Sequence, residues 1–377
     1  MSDAQHGNLT PEQESFKDAK FGMFFHWSLF SLPTGHENWR TPEGAMGNFH
    51  AKKFDAGRWV GSTVEAGARY ITFTSKHHDG FCLFSTDLTD FNSAKSPAGR
   101  DFVALLSEEC QERGMPIFIY YSLADHQHTG FRPGKPAWED YLRYYHGQIE
   151  ELCSNYGEIS GFWLDPGPWH GMGYDYQIDT TEDIIRGNQP GALLMGRDFY
   201  ESEKGVPDLP GTMGRLNNMG EGDPREMPAP APWNWPFEVC DTINDSWQYN
   251  ESDRNLKSTG ELLRKLVRVT GLGGNYLLNQ SPMGSGELDP LQVRILREMG
   301  TWLNHEREAL YGTRPLGLTD WGPVVTGNGT NYLFILDPTP DGGSIFPAKE
   351  PDQYGITIVE IDDADTLLRN QPGSRQG

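Results

Sequence analysis

The chain has 377 residues, 36% of them hydrophobic and 12% aromatic, which is enough to bury one large core and leave material for a second, smaller domain. A formal charge of −22 and an isoelectric point near 4.8 argue against binding to nucleic acid or to an anionic membrane, because phosphate contacts need clustered Lys and Arg. No run of residues is long and apolar enough to span a membrane and the first residues do not resemble a signal peptide, so we expect a soluble chain and leave its compartment open.

Strand-like and helix-like segments alternate from residue 21 to about residue 304. This alternation predicts a parallel sheet, and its length fits an α/β fold of the TIM type, a closed (β/α)8 barrel. Helices are predicted over 102–113 and 138–155, and around 262–267 and 295–303, where apolar residues share one face. One strand of the barrel is missed or irregular, because only seven runs are typical of strands: 22–27, 70–75, 115–121, 159–165, 192–197, 238–243 and 275–279.

Two segments interrupt the alternation. The segment 198–236 is rich in Gly, Pro and charged residues and has no sustained period, so we interpret it as a functional loop over the C-terminal face of the barrel. After Pro315 the helices are expected to stop, and short runs such as 331–336 predict a small all-β, sandwich-like domain. We therefore expect a barrel domain over residues 1–313 and a C-terminal β domain over residues 314–377, which is short for a complete sandwich.

Polar side chains stand where three predicted strands end. Asp165 closes an apolar run and precedes Pro166, His26 follows another run, and a third leads into the sequence Lys-His-His-Asp-Gly at 76–80. In a barrel of parallel strands these ends converge on the face that carries active sites. Asp165 is a candidate nucleophile, although a cap or a turn residue would occupy the same position.

The histidines allow a metal site as an alternative, with His77, His78, Asp79, His26 and His126 as possible ligands. Because adjacent residues of a strand point to opposite faces, His77 and His78 could share a metal only if the strand has already ended. The spacing lacks the usual metal-binding patterns, so we expect these side chains to bind hydroxyl groups instead. The cysteines also lack metal spacing and are expected to be free and buried: Cys82, Cys110, Cys153 and Cys240.

Glycoside hydrolysis needs two carboxyl groups, and the residues at the strand ends match that reaction best. A sugar ring also needs an apolar wall, for which Trp27, Trp39, Trp163 and Phe24 are candidates.

Six ordered segments resemble the α-L-fucosidases of glycoside hydrolase family 29. The resemblance covers residues 16 to about 315, and the most specific segment is Lys-His-His-Asp-Gly-Phe at 76–81. The six segments are 21–27, 76–81, 120–123, 162–165, 274–279 and 310–315. The resemblance implies a retaining, exo-acting α-L-fucosidase with a barrel-like domain and a C-terminal β-sandwich. It implies a fucosylated oligosaccharide or polysaccharide as the substrate and no metal or organic cofactor, and it is compatible with an oligomer.

By motif, the resemblance assigns the nucleophile to Asp165 and fucose contacts to His26, His77, His78, Tyr120, Trp163 and Arg197. Glu37 and Trp39 fall on a Glu-Trp pair that holds the sugar. The general acid/base lies in the loop that the family varies most, and we choose Glu226 by its spacing before Phe237, with Glu221 as the alternative. Glu238 begins a predicted strand and is expected to be structural.

The chain departs from the family pattern in places that bear on these expectations. Pro166 replaces the Gly that usually follows the nucleophile, and Asn279-Gln280-Ser281-Pro282 replaces an Asn-x-Gly-Pro stretch. Two alternatives therefore remain beside the fucosidase: an exo-hydrolase of a related sugar such as an α-L-galactoside, and a catalytically silent fucose-binding protein.

Overall fold

The computed structural model describes residues 9–33, 41, 44–131, 137–165, 174–195, 236–336 and 351–369, together with the backbone of 212–216. Eight parallel strands form a closed barrel in sequence order, and the last strand pairs with the first. The strands are β1 Phe21–Phe25, β2 Ile71–Lys76, β3 Ile117–Ser122, β4 Gly161–Asp165, β5 Leu193–Met195, β6 Thr212–Leu216, β7 Phe237–Thr242 and β8 Asn275–Gln280.

Helices lie between most of the strands. They are α1 Pro11–Ala19, α2 Ala56–Glu65, α3 Phe102–Glu112, α4 Trp138–Asn155, α5 Ile178–Asn188, α6 Thr259–Gly271, α7 Pro290–His305 and α8 Arg307–Leu310. Aspartate or serine caps begin several of them; Asp101, for example, accepts a hydrogen bond from the Ala104 amide at the start of α3. The seven predicted strands are confirmed, with their described ends within two residues of the predicted ones. The four predicted helices are confirmed as well. Among the described residues, no helix combines the length and the apolarity that a membrane span requires.

The eighth strand corrects the interpretation of 198–236 as one long loop. β6 lies inside this segment and pairs in parallel with β5 through Leu194 and with β7 through Phe237. Its five residues include only two apolar ones, Met213 and Leu216, so no apolar run marks the strand in the sequence.

The barrel interior is closed at its N-terminal end by α1. This helix begins with a capping box between Thr10 and Gln13, and it inserts Phe16 against Tyr70 and Phe118, with ring centroids 5.3 and 5.7 Å apart. The aromatic layer continues upward, so the interior is a packed core rather than a pore.

Gly22 of β1 allows the Tyr70 ring to lie across the barrel interior. A Cβ atom at Gly22 would stand 2.2 Å from the ring, closer than any real contact. The missing side chain on one strand thus makes room for a large ring from its neighbour.

An antiparallel sheet follows the barrel. Its strands are β9 Arg314–Leu318, β10 Pro323–Gly327, β11 Thr330–Ile335 and β12 Thr357–Ile361. They lie side by side in the order β12, β11, β10, β9. The predicted C-terminal β domain is confirmed. A short helix, α9 Ala364–Arg369, follows its last strand and packs Ala364 against Val324 and Leu333. Arg314 ties the sheet to the barrel through ion pairs with Glu14 and Asp18 of α1.

Candidate active site

Asp165 is the last residue of β4 and lies at the C-terminal face of the barrel. The Tyr120 hydroxyl donates to its Oδ2 atom at 2.7 Å, and Nε2 of His78 is 3.8 Å from the same oxygen. The Asp165 side chain is 16% exposed, so the carboxylate is accessible yet held. Asp165 caps none of the described helices, because the next of them begins at Ile178 with Gln177 at its N-cap.

The three predicted histidines lie together beside Tyr120, whose hydroxyl donates to this carboxylate. The ring of His77 is 5.6 Å from that of His26 and 4.3 Å from that of His78, and it stacks on Tyr120 at 5.3 Å. His77 and His78 share one side because β2 already ends at Lys76. Burial, followed by the neighbouring His78, lowers the pKa of His77 well below its usual value, so its imidazole is neutral near pH 7.

The turn after β2 holds the two histidines in place. The Gly80 amide donates to the His77 carbonyl at 3.0 Å, and the His126 amide donates to the His78 carbonyl at 2.9 Å. Gly80 has a φ of +80°, and a Cβ atom there would lie 2.4 Å from Oδ1 of Asp125. Asp125 in turn pairs with the buried Lys76 ammonium at 3.1 Å. A buried ion pair and a glycine-specific turn therefore fix the backbone that presents the imidazoles.

Hydrogen bonds determine which ring nitrogen of His26 carries a proton. The Asn279 amide donates through Nδ2 to the Trp247 carbonyl at 2.7 Å, which leaves its Oδ1 atom as an acceptor. That oxygen lies 2.7 Å from Nδ1 of His26, so Nδ1 must be the protonated nitrogen. Nε2 is then the acceptor nitrogen of the neutral tautomer.

His78 is fixed in the same way by Ser122. The Ser122 hydroxyl donates to the Ala124 carbonyl at 2.8 Å, so it can only accept from Nδ1 of His78, 2.5 Å away. Nε2 of His78 is directed to Asp165.

Aromatic rings form the floor of the site. Phe24 lies beneath His26 with centroids 4.1 Å apart, and Trp163 packs against Phe24 and Tyr120, at 5.3 Å from each. Trp163 is only 2% exposed, and its indole nitrogen donates to Glu238 inside the barrel at 3.0 Å.

Trp27 does not contribute to this floor, which corrects its interpretation as a sugar-facing wall. Its side chain is fully buried outside the barrel and packs against Phe49, Phe54 and Trp59. The reason is the alternation of side chains along β1 and just beyond it, which directs His26 inward and Trp27 outward.

Sequence reasoning missed Trp247, which follows β7 and is half-buried. Its ring lies 5.0 Å from His26 and 6.2 Å from Phe24, and its carbonyl orients Asn279. The signal was present, because an aromatic residue a few positions after a barrel strand belongs to the same face as the other candidates.

Several predicted site residues lie outside the described residues: Glu37, Trp39, Arg197, Glu221 and Glu226. Within the described part of the chain, no three His, Cys, Asp or Glu side chains are grouped so that they could hold a metal ion. The four cysteines are buried thiols that form no disulfide, as predicted.

Comparisons with known proteins point to one family. A family model described as "Alpha-L-fucosidase" matches residues 2–308. The chain is similar to the α-L-fucosidase of Dictyostelium discoideum, with 26% identity over 383 residues that cover 89% of this chain and 80% of that protein.

Solved structures give the same result. α-L-Fucosidase isoenzyme 1 from Paenibacillus thiaminolyticus superposes with a TM-score of 0.74 at 28% identity, over 87% of this chain and 84% of that one. The α-fucosidase of Thermotoga maritima, solved with a mechanism-based inhibitor, superposes with a TM-score of 0.69 at 26% identity, over 88% and 84% of the two chains.

Proposed function

The chain belongs to the α-L-fucosidase family, and from that premise we propose that Asp165 is the nucleophile of a retaining glycoside hydrolase that releases terminal α-L-fucose from glycans. The family resemblance drawn from the sequence motifs is confirmed. The observation that carries the proposal is the environment of Asp165, which combines an accessible carboxylate, the Tyr120 hydroxyl and three imidazoles at one end of the barrel.

The reaction proceeds by two displacements. A carboxylate oxygen of Asp165 bonds to the anomeric carbon while the bond from that carbon to the departing oxygen breaks, and a general acid gives the departing oxygen its proton. The product is a β-linked fucosyl-enzyme ester. Water then attacks the same carbon, the conjugate base of that acid takes a proton from the water, and Asp165 leaves as a carboxylate. Two inversions return the α configuration.

The imidazoles at this end of the barrel suit a ligand rich in hydroxyl groups, such as a sugar. Nε2 of His26 and Nε2 of His78 each accept a proton from one sugar hydroxyl, and the hydroxyl on His78 lies beside Asp165. The Trp247 ring offers an apolar surface beside His26, to which we assign the methyl group that distinguishes fucose from a galactose-type sugar.

We assign the general acid/base to Glu226, with Glu221 as the alternative, and we assign further sugar contacts to Glu37, Trp39 and Arg197. The support is sequence spacing and motif. The segment Trp233-Asn234-Trp235 of the same loop would help to keep an acid protonated by excluding water. We also propose that the chain divides into its two domains between residues 313 and 314.

The decisive experiment replaces the nucleophile. Asp165→Gly is expected to lower the turnover of an aryl α-L-fucoside by several orders of magnitude, since the change removes the carboxylate that forms the ester. Added azide should occupy the vacated space and yield β-fucosyl azide, the product of a single inversion, which NMR identifies. An α-configured azide or near-normal activity would remove Asp165 from this role. An aryl α-L-galactoside assayed in parallel tests whether Trp247 selects for the methyl group.

A further inference from the structure

The carboxylate of Glu238 lies inside the barrel, although its sequence position suggested only a structural role. Glu238 is the second residue of β7 and is 1% exposed. The Tyr70 hydroxyl donates to Oε2 at 2.5 Å, and the indole nitrogen of Trp163 donates to Oε1 at 3.0 Å. The carboxylate thus joins β7 to β4 and to the residue that precedes β2.

A carboxylate at this position needs an explanation beyond packing. Charged groups lose their hydration when they are buried, and apolar residues of similar volume often replace them without loss of stability. Many of the side chains in the barrel interior are apolar or aromatic. What distinguishes Glu238 from an apolar residue of its size is that each of its oxygens can fix one donor in direction.

The Trp163 indole connects Glu238, through Tyr120, to the reacting carboxylate of Asp165. Trp163 stands on β4 two residues before Asp165, and its ring packs against Tyr120 with centroids 5.3 Å apart and planes 32° apart. Tyr120 in turn donates its hydroxyl proton to Asp165. An indole that is free to rotate would no longer support the Tyr120 ring at one angle, and the hydroxyl proton would lose its direction.

We propose that Glu238 is a positioning residue for the reaction, which acts by holding the Trp163 indole and, through the Trp163 ring, the Tyr120 hydroxyl on Asp165. This inference rests on the proposed role of Asp165 as the nucleophile. It also defines the role of Trp163. Because its N–H group donates to Glu238 inside the barrel, Trp163 contributes its ring surface to the site rather than a hydrogen bond.

A double-mutant cycle tests the proposal. Glu238→Met removes both acceptor oxygens at nearly constant volume, and we expect kcat for an aryl α-L-fucoside to fall 30- to 100-fold. Glu238→Gln keeps one oxygen for the indole, and kcat should fall less than tenfold. Trp163→Phe removes the indole N–H, so in the Trp163→Phe background both Glu238 substitutions should change kcat by less than threefold.

The control separates positioning from stability. Asp241 is also a buried carboxylate of β7, but it faces the opposite side, where it pairs with Lys265 at 3.1 Å. Asp241→Asn should lower the denaturation midpoint and leave kcat of the folded protein unchanged.

The proposal is overturned if Glu238→Met has the kcat of the parent, or if either Glu238 substitution lowers kcat by the same factor with and without the Trp163 indole. If Glu238→Met does not fold, the Glu238→Gln cycle decides alone, together with the indole N–H resonance of Trp163. That resonance is assigned by its absence in Trp163→Phe and must move upfield in Glu238→Gln. A failure of the proposed function would be seen in a different variant: Asp165→Gly would then keep its activity, whatever effect the Glu238 substitutions have.

Discussion

Replacing Tyr120 with Phe removes one hydroxyl from the nucleophile and leaves the ring in place. The hydroxyl donates to Oδ2 of Asp165 at 2.7 Å, whereas the ring stacks on His77 with planes 12° apart. The hydrogen bond is strong when Asp165 is a carboxylate and weak when it is part of the ester. The two displacement steps should therefore respond differently.

The second step gains the most from this hydrogen bond, because Asp165 regains its negative charge as the fucosyl ester breaks. A hydrogen bond to a charged group contributes about 1.5–3 kcal/mol, and if roughly half of the charge has developed in the transition state, about 0.8–1.5 kcal/mol is lost in Tyr120→Phe. At 1.36 kcal/mol for each factor of ten, hydrolysis of the ester slows about 3- to 15-fold.

Stopped-flow kinetics with a dinitrophenyl α-L-fucoside measures this effect. The activated leaving group departs quickly in the first step, so Tyr120→Phe should show a burst of phenolate close to the enzyme concentration, followed by a slow steady rate. The matched control is Tyr121→Phe on the same strand, because the Tyr121 hydroxyl points to Gln148 on the outer side of the barrel at 2.7 Å. Tyr121→Phe should keep the parent's kinetics. A variant at Tyr120 that slows the first step and shows no burst would refute the reasoning.

Three other outcomes can be checked with simpler assays. Glu226→Ala should strongly slow the hydrolysis of natural fucosides and leave the first step unchanged for activated aryl fucosides, because the aryl leaving group departs without a proton. Glu221→Ala should have neither effect. The reverse pattern would assign the general acid/base to Glu221. His77→Ala should lower kcat/KM by about 30- to 1000-fold, the equivalent of about 2–4 kcal/mol, while chelators leave the parent enzyme unaffected; stoichiometric zinc whose removal abolishes activity would contradict the assignment. Burial, followed by the charge of Arg314, lowers the pKa of Lys20 to about 7. The free-energy cost of holding a protonated Lys20 in the folded state is therefore complete below pH 7 and disappears as pH rises through 10.5. Lys20→Met should therefore raise the free energy of unfolding in urea by up to about 4–5 kcal/mol at pH 6 and by little at pH 10, and an equal gain at both values would be inconsistent with this cause.

The sequence predicted the barrel because seven of its strands are short apolar runs between helical patterns. It did not predict β6, since a five-residue strand with two apolar residues carries no such signal. The rule that polar residues at the ends of parallel strands converge predicted Asp165 and the histidines on one face, whereas Tyr120 was assigned by the family resemblance. The structure brings these residues together.

Applying the rule to β1 also requires the alternation of inward and outward side chains to be extended past the end of the strand, to Trp27. Trp27 was counted as a wall although His26, its neighbour, already occupied the inward direction. Trp247 was missed because it lies five residues beyond its strand, where no periodicity fixes the direction of a side chain. The hydrogen bonds that choose the protonated nitrogen of His26 and His78 depend on residues of other strands, and no sequence pattern states such pairings.

The junction between β1 and β8 has a consequence during biosynthesis. His26 and Asn279 are separated by 253 positions, and β1 meets β8 residue by residue from Phe21 to Phe25. At a translation rate of about 5–20 residues per second, the first strand leaves the ribosome about 10–50 seconds before its last neighbour exists. Throughout that interval, one edge of Phe-Gly-Met-Phe-Phe offers unpaired amides and aromatic rings to any other nascent chain. The yield of this protein in a cell should therefore depend on chaperones that cover this edge until residue 280 has been made.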